Sequence, residues 1–290
     1  TDGGGSIRVP SAYSGVVGLK PSFGRVAHTP ALLSGVPPLV GPIARSVADV
    51  VLVLRAVAQP DTRDPWSLGH ASFDARLPAL RGTRVAYSVD FGFARVAPDV
   101  ERAFLAAVER LRAREGVTVE AAHPDIGPQA GEALRSLFEA RAAETLRTLG
   151  GEQRSWVDGD VRAAAEAGER LRALDVQAAE TARVALVTRL AAFHQQYDLL
   201  LTPTTAFTAP EAEPRPGAAS IERSPFAGAF SLSRQPAISV PVDLDANGLP
   251  IGLQIVGRHF EEALVLSAAL AVEQSAGFDQ RAQFRSGSSV

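Results

Sequence analysis

The first ten residues, Thr1-Asp2-Gly3-Gly4-Gly5-Ser6-Ile7-Arg8-Val9-Pro10, have the types and spacing for acyl chemistry. Gly3, Gly4 and Gly5 carry no side chain to obstruct a ligand. Their backbone N–H groups can converge on one anionic oxygen. Ser6 sets a hydroxyl beside that donor cluster. Acyl transfer to serine needs this combination, a nucleophile within about 3 Å of the donors that hold the oxyanion. Asp2 and Arg8 flank the run with opposite charges and can pair to fix its shape. Taken alone, Gly-Gly-Gly-Ser also describes a plain flexible turn.

Other residues compete for the chemistry. Lys20 is the only lysine in the chain. A lysine made neutral by burial can serve as a base, so a Ser6–Lys20 dyad is one rival. The histidines at 28, 70, 123, 194 and 259 are scattered. None has the i, i+4 spacing of a helical metal pair, so each is expected on the surface or in the core, and no metal is expected. Asp61, Asp64, Glu261 and Glu262 read as caps and solvated faces. The absence of cysteine excludes a thiolate zinc site, a cysteine nucleophile and a disulfide framework. Phe226, Phe230 and Ser231 follow a stretch rich in Pro, Ala, Gly and Ser at 207–225. They are candidates to line a substrate pocket, with ordinary packing as the competing reading. Trp156 has the same two readings.

These groups must be positioned by a folded frame. Residues 1–45 read as loops and short strands. Ser46 with Asp49 forms a capping-box pattern, and Val47, Val50, Val51, Leu54 and Val57 follow at helical spacing before Pro60. Arg84 to Ser88 reads as a buried strand. A helix follows from Pro98, with Val100, Phe104, Ala107, Val108 and Leu111 on one face, and Val117 to Ala121 is a further strand. Strand, helix and strand in that order predict a βαβ unit within an α/β sheet. Residues 128–195 are helical and are divided by glycines 150, 151 and 159. Leu199 to Thr202, Ile238 to Leu244 and Ile251 to Val256 are strands, the last two joined through Asn247-Gly248. Glu261 to Ser275 is the final helix. No repeat is visible, and one domain over 1–290 is expected.

Composition narrows the class. With 46% hydrophobic and 21% charged residues, 290 residues make an ordinary globular chain with a sizeable core. The net charge of −3 argues against a nucleic-acid partner. All but one of the 29 basic residues are arginine, which reads as the bias of a GC-rich genome. No apolar run approaches the ~20 residues of a membrane span, so no membrane partner and a cytoplasmic location are expected. There is no methionine, so Thr1 is not a natural start.

The residues after the glycine run carry a resemblance. Gly-Gly-Ser-Ile-Arg-Val-Pro-Ser-Ala-Tyr-Ser-Gly-Val-Val-Gly-Leu-Lys-Pro-Ser-Phe-Gly-Arg-Val at 4–26 closely resembles the core motif of the amidase signature family. Residues 41–49 (GPIARSVAD), 61–68 (DTRDPWSL), 197–205 (YDLLLTPTT), 235–241 (QPAISVP), 248–260 (GLPIGLQIVGRHF) and 262–273 are similar to its later blocks. Residues 90–195 match in pattern only.

That resemblance implies an α/β fold with a large mixed β-sheet flanked by helices. It implies hydrolysis of a carboxylic amide to acid plus ammonia or amine, through an acyl-serine intermediate and without a cofactor. Ser6 becomes the nucleophile, the N–H groups of Gly3, Gly4, Gly5 and Ser6 the oxyanion hole, and Asp2 and Arg8 supports of the loop. Lys20 falls in the structural Gly-Leu-Lys-Pro block. In the family a bridging serine with a cis peptide and a lysine complete the triad upstream of this motif. The chain is therefore expected to be a C-terminal portion, N-terminally truncated and exposing apolar surface, and its activity without the upstream part is left open. The expected partner is a small-molecule amide, and a homodimer stays open. Two alternatives remain. One is the amidase component of a glutamyl-tRNA(Gln)/aspartyl-tRNA(Asn) amidotransferase. The other is a non-catalytic fragment whose glycine nest binds anions.

Overall fold

The computed structural model describes residues 1–29, 39–69, 77–114, 116–127, 129–211 and 225–276. Its strands are β1 (Val17–Lys20), β2 (Ile43–Ala44), β3 (Arg84–Tyr87), β4 (Thr118–Ala121), β5 (Leu199–Pro203), β6 (Ala237–Leu244) and β7 (Pro250–Gly257). They form one seven-stranded mixed sheet in the order β2-β1-β6-β7-β5-β3-β4. β3 is parallel to both β4 and β5, and the other pairings are antiparallel.

The helices are α1 (Arg8–Ser14), α2 (Val47–Val57), α3 (Pro98–Arg112), α4 (Gln129–Thr148), α5 (Gly151–Ser155), α6 (Gly159–Gly168), α7 (Ala173–Gln196), α8 (Gly228–Leu232) and α9 (Glu262–Ser275). Ser46 caps α2, its hydroxyl accepting the Asp49 N–H at 3.1 Å. Pro98 opens α3, where its missing N–H costs no helical bond, and the buried face holds Val100, Phe104, Ala107, Val108 and Leu111. α3 joins β3 to β4, the βαβ unit read from the sequence.

Both faces of the sheet are covered. Val17, Leu19, Leu199, Leu201, Ile238 and Ile255 face one core, built with α2, α3 and α9. Leu200, Ala237 and Val256 face a second core, built with α4, α7 and α8. Burial on both sides explains why β5 reads as an unbroken apolar run rather than an alternation. Ile43 and, on α2, Leu52, Val53 and Val57 are exposed. Among the described residues no helix is long and apolar enough to cross a membrane.

α1 departs from the loop expected over residues 1–45. Pro10 falls in its first turn, where proline is tolerated, and Gly15 ends it at φ 66°. The helix lies close on the sheet because two strand positions lack a side chain. A Cβ on Gly18 would sit 2.1 Å from Ser11 Oγ, and one on Gly252 2.7 Å from Ala12 Cβ. This contact carries residues 2–8 to the second face, beside α8.

Candidate active site

The turn before α1 is held by a buried carboxylate. Asp2 pairs in a short bridge with Leu39, each N–H donating to the other's carbonyl at 2.9 and 3.0 Å. Asp2 Oδ1 accepts the Gly5 N–H at 2.7 Å, and Oδ2 accepts the N–H of Ile7 at 3.2 Å and of Arg8 at 3.4 Å. The Arg8 guanidinium then closes on the same carboxylate, with Nε 2.9 Å from Oδ2 and Nη2 3.0 Å from Oδ1. Both side chains are fully buried. Burial pushes the Asp2 carboxyl up. The Arg8 charge and hydrogen bonds, with Lys20 and the Ile7 N–H, outweigh that and hold it well below the usual carboxylate range.

Further groups saturate the pair. Arg8 Nη1 donates to Gln254 Oε1 at 2.7 Å, and Nη2 to Ser231 Oγ at 2.8 Å. The Ser231 hydroxyl donates on to Asp2 Oδ1 at 3.1 Å. Gln254 Nε2 donates to Thr202 Oγ1 at 3.0 Å and to the Phe226 carbonyl at 3.2 Å. The network thus ties β5, β7 and α8 to the turn. Gln254 and Thr202 were missed by sequence reasoning. Gln254 is a polar residue inside an otherwise apolar strand buried on both faces, and that was the available signal.

Ser6 is exposed, and no described residue hydrogen-bonds its hydroxyl. The N–H groups of Gly3, Gly4 and Ser6 likewise have no hydrogen-bond partner among the described residues. Gly5 differs, and corrects the expectation of four oxyanion donors. Its single N–H is already donated to Asp2 Oδ1. Gly5 instead supplies conformation. Its φ is 132°, and a Cβ there would lie 2.9 Å from both Ala227 Cβ and Val9 Cγ2. An exposed hydroxyl beside three unengaged backbone donors on a rigid turn is suited to attack a carbonyl and hold the oxyanion that forms.

The remaining candidates lie elsewhere. Phe226 and Phe230 are buried in the second core, with ring centroids 5.3 and 6.2 Å from that of Phe91, and Ser231 belongs to the Asp2 network. All three are structural in position, facing the core rather than open solvent. The Ser6–Lys20 dyad is not formed. Lys20 is fully buried and its Nζ donates to the carbonyls of Gln235 and Pro21. Burial, then the Arg8 charge, push Lys20 down to about 7 against the opposing pull of Asp2 and Glu262.

Glu262 is not a solvated residue. It is buried, accepts the Ser22 N–H at 2.8 Å and pairs with Arg25 at 3.1 Å. Asp61 pairs with Arg63 at the surface, while Asp64 accepts the backbone N–H groups of His28 and Trp66. His194 Nδ1 meets the Tyr197 carbonyl at 3.1 Å, and burial pushes its ring down to about 4. His259 Nε2 meets the Ser233 carbonyl at 2.7 Å. His70 lies outside the described residues. Among the described residues no group of three or more His, Cys, Asp or Glu could hold a metal ion. Trp156 is exposed.

Comparison with known proteins adds an independent line. The family model described as Amidase matches residues 1–266. The chain is similar to an acylamidase of Rhodococcus erythropolis, 35% identical over 94% of this chain and 60% of that protein. It is similar to a glutamyl-tRNA(Gln) amidotransferase subunit of Sphingopyxis alaskensis, 30% identical over 98% of this chain and 64% of that one. Among solved structures, a bacterial aryl acylamidase of the amidase signature enzymes superposes with a TM-score of 0.83 at 26% identity, over 100% of this chain and 64% of that chain. The chain therefore spans somewhat less than two thirds of the length of these relatives.

Proposed function

The chain belongs to the amidase family, and on that premise we propose that it carries the nucleophile of an enzyme that hydrolyses a carboxylic amide through an acyl-serine. The observation that carries the reading is the exposure of Ser6 on a turn whose frame is locked by a buried ion pair. A flexible turn would need no such clamp.

In the proposed reaction Ser6 Oγ attacks the amide carbonyl. Charge develops on the carbonyl oxygen, and the N–H groups of Gly3, Gly4 and Ser6 receive it. One such donor is typically worth on the order of 10²–10³ in rate. The tetrahedral adduct collapses to acyl-Ser6 as the amine leaves, and water then releases the acid. The resemblance assigns the proton transfers to a lysine acting through a bridging serine, both upstream of the matched motif. Asp2 and Arg8 act by holding the turn, and Ser231 and Gln254 by holding Arg8.

The amidotransferase reading has support of its own in the relatives of that name, here at 30% identity. The two readings share Ser6 and differ in what receives the released ammonia. Dependence of turnover on a partner protein, with glutamine as the amide, would favour the second.

The test is Ser6→Ala in the full-length protein, assayed against a panel of aryl, alkyl and primary amides. Turnover should vanish with the folding transition unchanged. Substantial turnover in that variant would sink the reading.

A further inference from the structure

Lys20 is a fully buried cation that the proposed reaction leaves without a task. Strand alternation puts Val17 and Leu19 toward the first core and Gly18 and Lys20 toward α1. Gly18 lies directly against Ile7 and Ser11, so Lys20 sits on the face that carries the nucleophile turn. Its hydrogen-bond acceptors are two carbonyls, those of Gln235 and Pro21. Gln235 lies shortly after Ser231, which bonds both Asp2 and Arg8.

The segment between them is itself pinned. Ser233 Oγ donates to Gln235 Oε1 at 3.0 Å, Gln235 Nε2 to the Gly257 carbonyl at 3.0 Å, and His259 meets the Ser233 carbonyl. Lys20 therefore touches the same short segment that supports the Asp2–Arg8 pair. Its charged neighbours are Asp2 and Arg8 before and within α1, Glu262 at the start of α9, and His259 between β7 and α9. Glu262 is in turn paired with Arg25, and Arg234 acts on His259.

We propose that Lys20 is a positioning residue, whose buried charge couples the Asp2–Arg8 pair behind Ser6 to the Arg25–Glu262 pair at the start of α9. Two carbonyls require two N–H donors. A neutral lysine still supplies two, so deprotonation keeps both bonds and removes only the charge. The consequence is electrostatic. When the ammonium is present it attracts the carboxylates of Asp2 and Glu262 and repels the Arg8 guanidinium. When it is lost, the balance on both sides of the turn shifts together. Burial brings this change to about pH 7, within the working range of a cell. Its effect on catalysis rests on the reading of Ser6 as nucleophile. The coupling itself does not, and it can be read without turnover.

In the full-length protein grown with isotope-labelled lysine, the Lys20 ε-methylene resonance is assigned by its absence in Lys20→Met and Lys20→Arg. That resonance and the backbone amides of Gly4, Gly5 and Ser6 are followed by NMR from about pH 5 to 10. The lysine should titrate near 7, and the three amides should move with the same midpoint. Lys20→Met should remove that amide titration, which separates Lys20 from the histidines and the terminal amine. Asp2→Asn should lower the lysine midpoint, and Arg8→Gln should raise it. A lysine midpoint above about 9, amides that stay flat across the lysine midpoint, or an amide titration unchanged in Lys20→Met would each overturn the coupling. If a variant does not fold, the two wild-type midpoints decide: coincidence supports the coupling, and separation by more than about one pH unit refutes it. Loss of the Ser6 assignment by other means would leave these midpoints where they are.

Discussion

Arg8 grips Asp2 through two parallel bonds of 2.9 and 3.0 Å, with neither side chain reaching solvent. The ion pair closes the short stretch 2–8 on itself, and Ser6 lies inside it. A buried pair of this kind is costly to desolvate, and its attraction repays that cost only when the remaining donors and acceptors are satisfied. Here Ser231, Gln254 and three backbone N–H groups satisfy them.

Removing one partner should leave an uncompensated buried charge. Arg8→Met is expected to lower stability by about 3–5 kcal/mol, measured by urea denaturation. A loss below about 1 kcal/mol would mean that the pair does not hold the turn.

The glycines of the turn should not be equivalent. Gly5→Ala meets two side chains at 2.9 Å and must adopt a φ of 132°. It is expected to cost about 1–3 kcal/mol and to disturb the turn. Gly4→Ala meets nothing within 4 Å. It should stay within about 1 kcal/mol of the parent. Equal effects in paired thermal melts would contradict the structure.

Much of the frame was legible before the structure. α2 and α3 announce themselves by apolar spacing and by Ser46 and Pro98 at their starts, and β5 by three successive leucines. α1 was not legible, because Val9, Pro10 and Tyr13 are poor helix formers and what holds the helix is its fit onto Gly18 and Gly252, far away in sequence. The same holds at the site. The pairing of Asp2 with Arg8 could be guessed from charge and spacing. Which N–H groups the Asp2 carboxylate takes could not, so Gly5 was wrongly counted among the donors. Glu262 looks like a surface residue in one dimension, and only the packing of α9 against β6 and β7, with its bonds to Ser22 and Arg25, buries it.

Lys20 should leave a mark on the pH dependence of stability. Its unfolded value is 10.5 and its folded value about 7. Between these the unfolded chain holds one more proton than the folded one, so stability rises with pH across that window. Below about 7 the folded state carries the cost of the buried ammonium. The gain should reach the order of a few kcal/mol near pH 10. Lys20→Met should flatten this rise in denaturation midpoints taken at matched pH. A rise of the same size in the variant would assign it to another group.

Asp2 acts in the opposite range. Its folded carboxyl lies below the unfolded value of 3.8, so its stabilisation is present above that value and is lost as the pH falls below it. Asp2→Asn should therefore lose stability at neutral pH and show a weaker acid transition. An acid limb as steep as the parent's would count against the pair as its source.

The most direct measurement of the central claim is covalent capture. The full-length protein would be treated with a fluorophosphonate, digested, and the peptide spanning Ser6 read by mass spectrometry. One adduct on Ser6, blocked by competing amide substrate and lost in Ser6→Ala, is the predicted result. An adduct on another residue that abolishes turnover while Ser6 stays unmodified would contradict it.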